Sequence, residues 1–408
     1  MENKLEYFRK QLNKYKPRAE TRFKCYDQKD KDESFGITIP PNIRSMYRSV
    51  VGWCTKAVDN LSDRLIFRGF ANDDFFLNEI FAMNNPDTFF DSAILSALIT
   101  SCCFVYIIKG EEGEIPQLQV IESTNATGNI DTSTGLLKEG YAVLERNKEG
   151  HPILEALFYP YKTDYYTSGE YAYTVESKAP YPVLIPIIHR PDAIRPFGRS
   201  RISRAAIYWQ KYAKRTLERS DVTAEFYSFP QKYVLGLSQD AEPLDSWKAT
   251  ISAMLQFTKD EDGDRPTIGQ FTTVSMSPFV EQLRTAAAGF AGETGLTLDD
   301  LGFVTDNPSS AEAIKASHET LRLSAKKAQR NLGSGFLNVG YIAACIRDGQ
   351  SYNRGQFYMT KPKWEPVFEP DASTLSTVGD GAIKINQAIP GYLNQENLRD
   401  ITGIEAGD

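Results

Sequence analysis

Several chemistries are missing from this sequence. Of 408 residues only His151, His189 and His318 are histidine, far apart along the chain, which argues against a histidine triad or a histidine metal cluster. No GxxxxGK[ST] phosphate loop, no strand followed by GxGxxG, no HExxH and no GxSxG occurs. GSGF at 333–336 reads as the break between two helical stretches. Five cysteines, at 25, 54, 102, 103 and 345, are odd in number and form no CxxC pair. They suggest neither a disulfide framework nor a zinc site and fit a reducing compartment. The N-terminus is charged throughout and has no apolar core of the signal-peptide kind, so a cytosolic chain is expected. Long hydrophobic runs are lacking too: the one membrane-like stretch, 92–108, is uncharged for 17 residues, the lower limit for a bilayer span. Helix-like spacing before Ser101 gives way there to a β-branched and aromatic run at 104–108, which predicts a buried helix running into a strand and no membrane partner.

What is present is globular: 41% hydrophobic and 12% aromatic residues can bury a sizeable core. A net charge of -7 excludes a clamp that grips nucleic acid through a basic surface. A conduit that nucleic acid slides past should avoid tight binding, and acidity does not exclude it. The sequon-like Asn125-Ala126-Thr127 has no bearing in a cytosolic chain.

One segment, 198–236, organises the rest. Between the breakers Pro196 and Gly198 and the breaker Pro230 it holds about 30 residues without Gly or Pro, which predicts one helix of roughly 45 Å at about 1.5 Å per residue. Arg201, Arg204, Lys211, Arg215 and Arg219 share an arc of about 80° opposite Ile202, Ala206, Trp209, Ala213 and Leu217. A basic stripe is ordinarily a solvated face; the sharper reading is a helix facing a polyanion.

In chain order, a polar first helix is followed by a helix over 47–64 with Val50, Val51, Cys54, Val58 and Leu61 inward, then an apolar cluster at 75–83. The stretch 115–175 reads as short antiparallel strands of one sheet, with turns at Gly128, Gly135, Gly140 and 148–150. A Pro-punctuated extended linker, 180–197, leads to the long helix. After Pro230 come a strand-like run, a helical stretch over 244–257, an acidic loop at 260–264 and a second strand-like run at 267–274. The acidic loop is no calcium loop, because Gly263 is misplaced and Phe271 stands where the bidentate Glu belongs. Ser277 as N-cap and Pro278 at the first helical position open a helix over 279–292, whose TAAAGFAG permits close backbone approach. The stretch 294–307 reads as an exposed loop. Ser309 and Glu312 form a capping-box pattern for a helix over 309–331, with Lys315, Arg322, Lys326 and Arg330 on one arc opposite Ile314, Leu321 and Ala325. A strand-like 361–373 and helices over 374–388 and 396–401 close an α+β chain without internal repeats.

Taken as an ordered set, GRSRI at 198–202, FPxxYVLG at 229–236, DNPSSAEAI at 306–314 and WEP at 364–366 resemble the portal proteins of tailed double-stranded DNA bacteriophages, over roughly 198–370. The resemblance implies a portal-like fold: an N-terminal wing at 1–198, a stem helix at 199–228, a clip at 229–277, a second stem helix at 278–293, a tunnel loop at 294–308, a wing return at 309–370 and a short crown-like region at 371–408. It implies a ring of self-associated subunits, usually twelve, at a capsid vertex of the virion, assembled in the host cytoplasm and passing double-stranded DNA. Its implied partners are the terminase large subunit, a head-completion or adaptor protein, and the major capsid and scaffold proteins. By the same likeness Thr297, Leu298, Asp299, Asp300, Leu301, Phe303, Val304 and Thr305 would form the tunnel loop, and Gln231, Tyr233, Asp260, Asp262 and Asp264 a docking surface on the clip. The two basic stripes would face the DNA or a neighbouring subunit. Twelve copies at -7 each would carry about -84, a field that repels DNA from sticking. No enzyme activity and no cofactor is expected. The rival reading is a soluble α+β metal-dependent enzyme using Asp260–Asp264, or Asp299 and Asp300.

Overall fold

In the computed structural model, residues 4–30, 48–110, 114–228, 232–235, 267–270, 275–303, 316–368, 370 and 372–404 are described. They form an α+β chain that separates into two compact units, one of Met1–Asp30, Gly52–Ile207 and Thr294–Asp408, the other of Lys31–Val51 and Tyr208–Glu293.

The first unit opens with α1 (Lys4–Tyr26), α2 (Trp53–Ser62), β1 (Phe67–Ala71), α3 (Leu77–Ala82) and α4 (Pro86–Thr100), which runs into β2 (Cys102–Ile108). The helix-to-strand reading of 92–108 therefore holds, and β2 is buried along nearly its whole length. Helix α2 is shorter than expected and starts at Trp53; Val51, Cys54, Val58 and Leu61 are buried as expected, while Val50 is 62% exposed because it precedes the helix.

Then follow β3 (Gln117–Glu122), β4 (Ala126–Ile130), β5 (Leu137–Arg146), β6 (Pro152–Tyr159), β7 (Lys162–Thr167), β8 (Glu170–Glu176) and β9 (Leu184–Ile188). They make two sheets where one was expected: a five-stranded meander β4-β5-β6-β7-β8 and a three-stranded sheet β3-β2-β9. Gly135 and Gly150 turn the chain at positive φ, but Gly128 and Gly140 do not; they lie opposite each other in β4 and β5. A Cβ on Gly128 would stand 2.7 Å from Glu139 O and 2.9 Å from Leu137 Cδ1, so the strand needs glycine there for clearance. The expected linker 180–197 contains β9, five buried residues antiparallel to β2. Its Pro186 is tolerated because β9 is an edge strand.

Helix α1 lies on the meander through Leu5, Phe8 and Leu12 against Tyr141, Val143 and Leu157. Fully buried Glu155 accepts from Arg9 Nε at 2.8 Å, and also from Arg9 Nη2 and the Tyr141 hydroxyl. Burial alone would raise the Glu155 carboxyl; the Arg9 and Tyr141 bonds outweigh it and hold it below its ordinary value.

Helix α5 (Arg204–Ser228) begins in the first unit, and the second unit takes over at Tyr208. In the second unit the two expected strand-like runs are strands, β10 (Lys232–Leu235) and β11 (Thr267–Gln270), which the structure pairs antiparallel, and the unit contains most of α6 (Ser277–Thr294). The expected helical stretch 244–257 lies outside the described residues.

Back in the first unit, α7 (Glu319–Arg347) is its central pillar, followed by β12 (Lys361–Trp364), antiparallel to β1, and by α8 (Ala372–Ala388) and α9 (Gln395–Thr402). GSGF does not break the helix, which runs through it. A Cβ on Gly333 would meet Pro362 Cβ at 2.9 Å, one on Gly335 Ile187 Cδ1 at 2.9 Å, and one on Gly340 Leu77 Cδ1 at 2.8 Å. These glycines admit neighbours to the helix surface, which periodicity alone does not reveal. Beside them Phe67 gathers Phe90, Phe336 and Trp364 at centroid distances of 4.5, 5.2 and 5.0 Å.

Candidate functional site

The long helix is rooted by the residues that precede it. Gly198 has φ +76, and a Cβ there would stand 2.1 Å from His189 O, so only glycine fits. Arg199 N donates to His189 O at 2.9 Å, and His189 Nδ1 donates back to Arg199 O at 2.7 Å, which fixes the tautomer. Burial lowers the His189 imidazole to about 3; the bond to the Arg199 carbonyl opposes that shift, and the positive charges of Arg190 and Arg201 add to it. Asp192 accepts Nε and Nη2 of Arg199 at 3.0 and 2.7 Å, a fork that lowers its carboxyl. The Ser200 hydroxyl donates to Ile99 O, and Arg201 N donates to Leu98 O at 2.8 Å. Ser203 Oγ accepts from Ala206 N at 3.1 Å and caps the helix.

This root corrects two expectations. Residues 199–203 are not helical, because their backbone groups are committed to β9 and to the end of α4; the helix is 25 residues long, about 37 Å at 1.5 Å each. Arg201 leaves the basic stripe: it is 7% exposed, and its Nε donates to Ala57 O at 3.2 Å. Sequence periodicity placed it on the arc by extending the helix one turn too far.

The remaining stripe is in the helix. Arg204 and Arg219 are exposed, and Lys211 and Arg215 are half-buried. Opposite them Ala206 and Ala213 are buried as expected, but Trp209 and Leu217 are only partly so, and Gln210, Lys214 and Thr216 are buried beside the alanines. The inner face is thus partly polar. Close approach of α6 is realised at Gly289, where a Cβ would stand 2.3 Å from Trp209 Cε2. Helix α6 opens earlier than expected, at Ser277, with Phe279 N bonded to Met276 O, so Ser277 is not the cap.

The expected loop 294–307 is neither wholly exposed nor wholly irregular. Thr294 belongs to α6, Leu296 is buried, and Asp299–Leu301 form a 3-10 turn. Asp300 Oδ2 accepts from Thr297 N and Oγ1, both at 2.9 Å, and Thr297 Oγ1 accepts from Asp300 N at 3.1 Å, a reciprocal cap. Asn60 Nδ2 of α2 donates to Asp300 Oδ1 at 3.2 Å, and His318 Nδ1 stands 4.0 Å from Oδ2. Asp299 is exposed; Leu298, Leu301 and Phe303 are half-buried. Val304 and Thr305 lie outside the described residues, as do the capping pair Ser309 and Glu312 and the stripe's Lys315.

On α7, Leu321 and Ala325 are buried as expected and Lys326 and Arg330 are exposed, while Arg322 is held by Glu319 through a fork of 2.7 and 2.6 Å. Tyr233 sits on β10, exposed; Gln231, Asp260, Asp262 and Asp264 lie outside the described residues. Among the described residues no group of His, Cys, Asp or Glu could hold a metal ion, and no helix is long and apolar enough to cross a membrane. What sequence reasoning missed is the root. Its signal was there in Gly198, flanked by residues too polar for a core, yet nothing in the letters shows that Ser200 and Arg201 are buried.

No family model matches the chain. Solved chains of the virion of a native gene transfer agent particle and of its neck computed with C12 symmetry overlap it at TM-scores of 0.47 and 0.46, with 12% identity in each case, covering 87% and 95% of this chain and 90% and 99% of theirs. Curated relatives reach further in sequence. The chain is 24% identical over 397 residues to the portal protein of Mycobacterium phage L5, covering 92% of this chain and 80% of that one, and 23% identical over 401 residues to the portal protein of Mycobacterium phage D29, covering 93% and 81%. Both likenesses run nearly end to end, and not merely over the stretch that carries the motifs, and they support a phage portal protein.

Proposed function

We propose that the chain is the subunit of a head-tail connector: copies of it form a ring, of about twelve members by the family's habit, at one capsid vertex of the virion, and double-stranded DNA passes through the ring during packaging and ejection. The observation that carries this reading is a 25-residue helix, rooted by the hydrogen bonds around Gly198 and paired at Trp209 and Gly289 with α6, in a chain that is similar to portal proteins over nearly its whole length. Helices α5 and α6 are the stem, 229–277 is the clip that docks the terminase and the head-completion protein, and the turn at 297–301 begins the tunnel loop. Assembly takes place in the host cytoplasm with the major capsid and scaffold proteins.

The basic stripe keeps Arg204, Lys211, Arg215 and Arg219 on α5 and Lys326 and Arg330 on α7, repeated around the ring as bands of positive charge that meet phosphates without reading sequence. Arg322 contributes less, its charge being shared with Glu319. A structural rather than enzymatic role follows from the likeness, and Asp300 suits it, its carboxylate being occupied by Thr297 and Asn60. Negative-stain imaging with native mass tests the reading: rings with a central hole wide enough for a duplex are expected. A chain that stays monomeric or dimeric even in the presence of capsid scaffold would overturn it.

A further inference from the structure

The last two helices are poorly covered. In α8, Ala382 is buried and Leu375 and Val378 are half-buried, while Ile385 is 42% and the following Ile389 56% exposed. A 17-residue helix depends on burying an apolar face, and the described residues bury only one side chain of this one. Leu375, Val378, Ala382, Ile385 and Ile389 follow one another at steps of three, four, three and four, the a/d repeat of a coiled-coil seam. The positions beside that seam are Gly379, Gly381, Asn386 and Ala388. Gly379 and Gly381 have no heavy atom within 4 Å of where a Cβ would stand, and Asn386 is committed to both backbone groups of Leu393 at 2.8 Å. The charges Asp380 and Lys384 fall on other faces and are exposed.

We infer that the α8 seam is a contact between copies of this chain, Ile385 and Ile389 of one copy being covered by the next. The occupant follows from the flanks. Where a different partner is selected, charges usually stand beside the seam; here the flanks are small and uncharged, so identical helices meet with no like-charge clash and can approach closely. In a ring each member touches two neighbours through different surfaces, so the seam of one copy lies against another side of the next copy's helix, where Ile383 is 60% exposed and about 80° or more around from the seam. The inference rests on the ring reading above.

The test uses the full chain. All five native cysteines are buried, so a single introduced thiol is the only exposed one among described residues. G381C is treated with a short bis-maleimide and compared with E149C, a control in the exposed β5–β6 hairpin, while native mass is recorded on the same samples. Cross-linking of the first to a ladder of oligomers, on the order of a hundredfold faster than the control because neighbours present the thiol at millimolar effective concentration, is expected. Adding I385K should remove the ladder. Rings by mass with no excess cross-linking at position 381 overturn the seam and leave the ring intact. Absence of both overturns both.

Discussion

Every residue of α7 from Leu332 to Ile346 is buried except Ser334, and the neighbours that its three glycines bring close, Pro362, Ile187 and Leu77, are apolar. The root of α5 is buried as well, but by Ser200, Arg201 and His189, whose hydrogen bonds run to backbone carbonyls of α4, of α2 and of Arg199 in the root itself. Apolar contact is non-directional and supplies stability; a hydrogen-bonded root adds less net free energy but is directional, and it holds the backbone of 199–203 in one arrangement.

The largest effect expected from breaking this contrast is on the apolar side. Phe336→Ala should cost about 3–5 kcal/mol, because the fully buried ring touches Phe67, Phe90 and Trp364 and the hole cannot close. Urea midpoints measure this, and exchange protection at Ser203 and Ala206 should fall no more than elsewhere. Next comes acid. A free histidine titrates near 6.5 and His189 only near 3, so between those values the unfolded chain binds a proton that the folded chain refuses. Stability should be complete above about pH 6.5 and fall as pH drops toward 3, by up to about 1.4 kcal/mol per unit. Comparing midpoints at pH 7 and pH 4 reads it, and His189→Asn should flatten the fall over that window.

Gly198→Ala attacks the root directly. A left-handed alanine costs roughly 1–3 kcal/mol, and its Cβ would collide with His189 O. The characteristic outcome is loss of amide protection in 199–207 greater than that in α7, read by hydrogen exchange; equal loss in both would refute the separation of roles. The smallest effect serves as a control with the opposite sign. Gly379→Ala fills open space in a helix and should stabilise by about 0.5–1 kcal/mol, seen as a slightly higher thermal midpoint.

Much of this was legible in the letters. The switch from helix to strand near Ser101, the strands at 232–235 and 267–270, and the inward Leu321 and Ala325 all follow from period and breakers. What failed did so for one physical reason. Gly128, Gly140, Gly333 and Gly335 carry the same letter as turn glycines, but serve neighbours distant in sequence. Arg201 likewise carries the letter of a surface charge while its donors face carbonyls of residues about 100 and 144 positions away. Local pattern cannot see a contact of that span.

The docking of α1 on the meander has a kinetic side. Arg9 meets Glu155 across 146 residues, so α1 leaves the ribosome long before its seat exists. At about 5–20 residues per second the wait is roughly 7–30 seconds, during which Leu5, Phe8 and Leu12 have no cover from the sheet. That interval is a window for chaperone capture or misassociation, and it closes only when β6 has emerged.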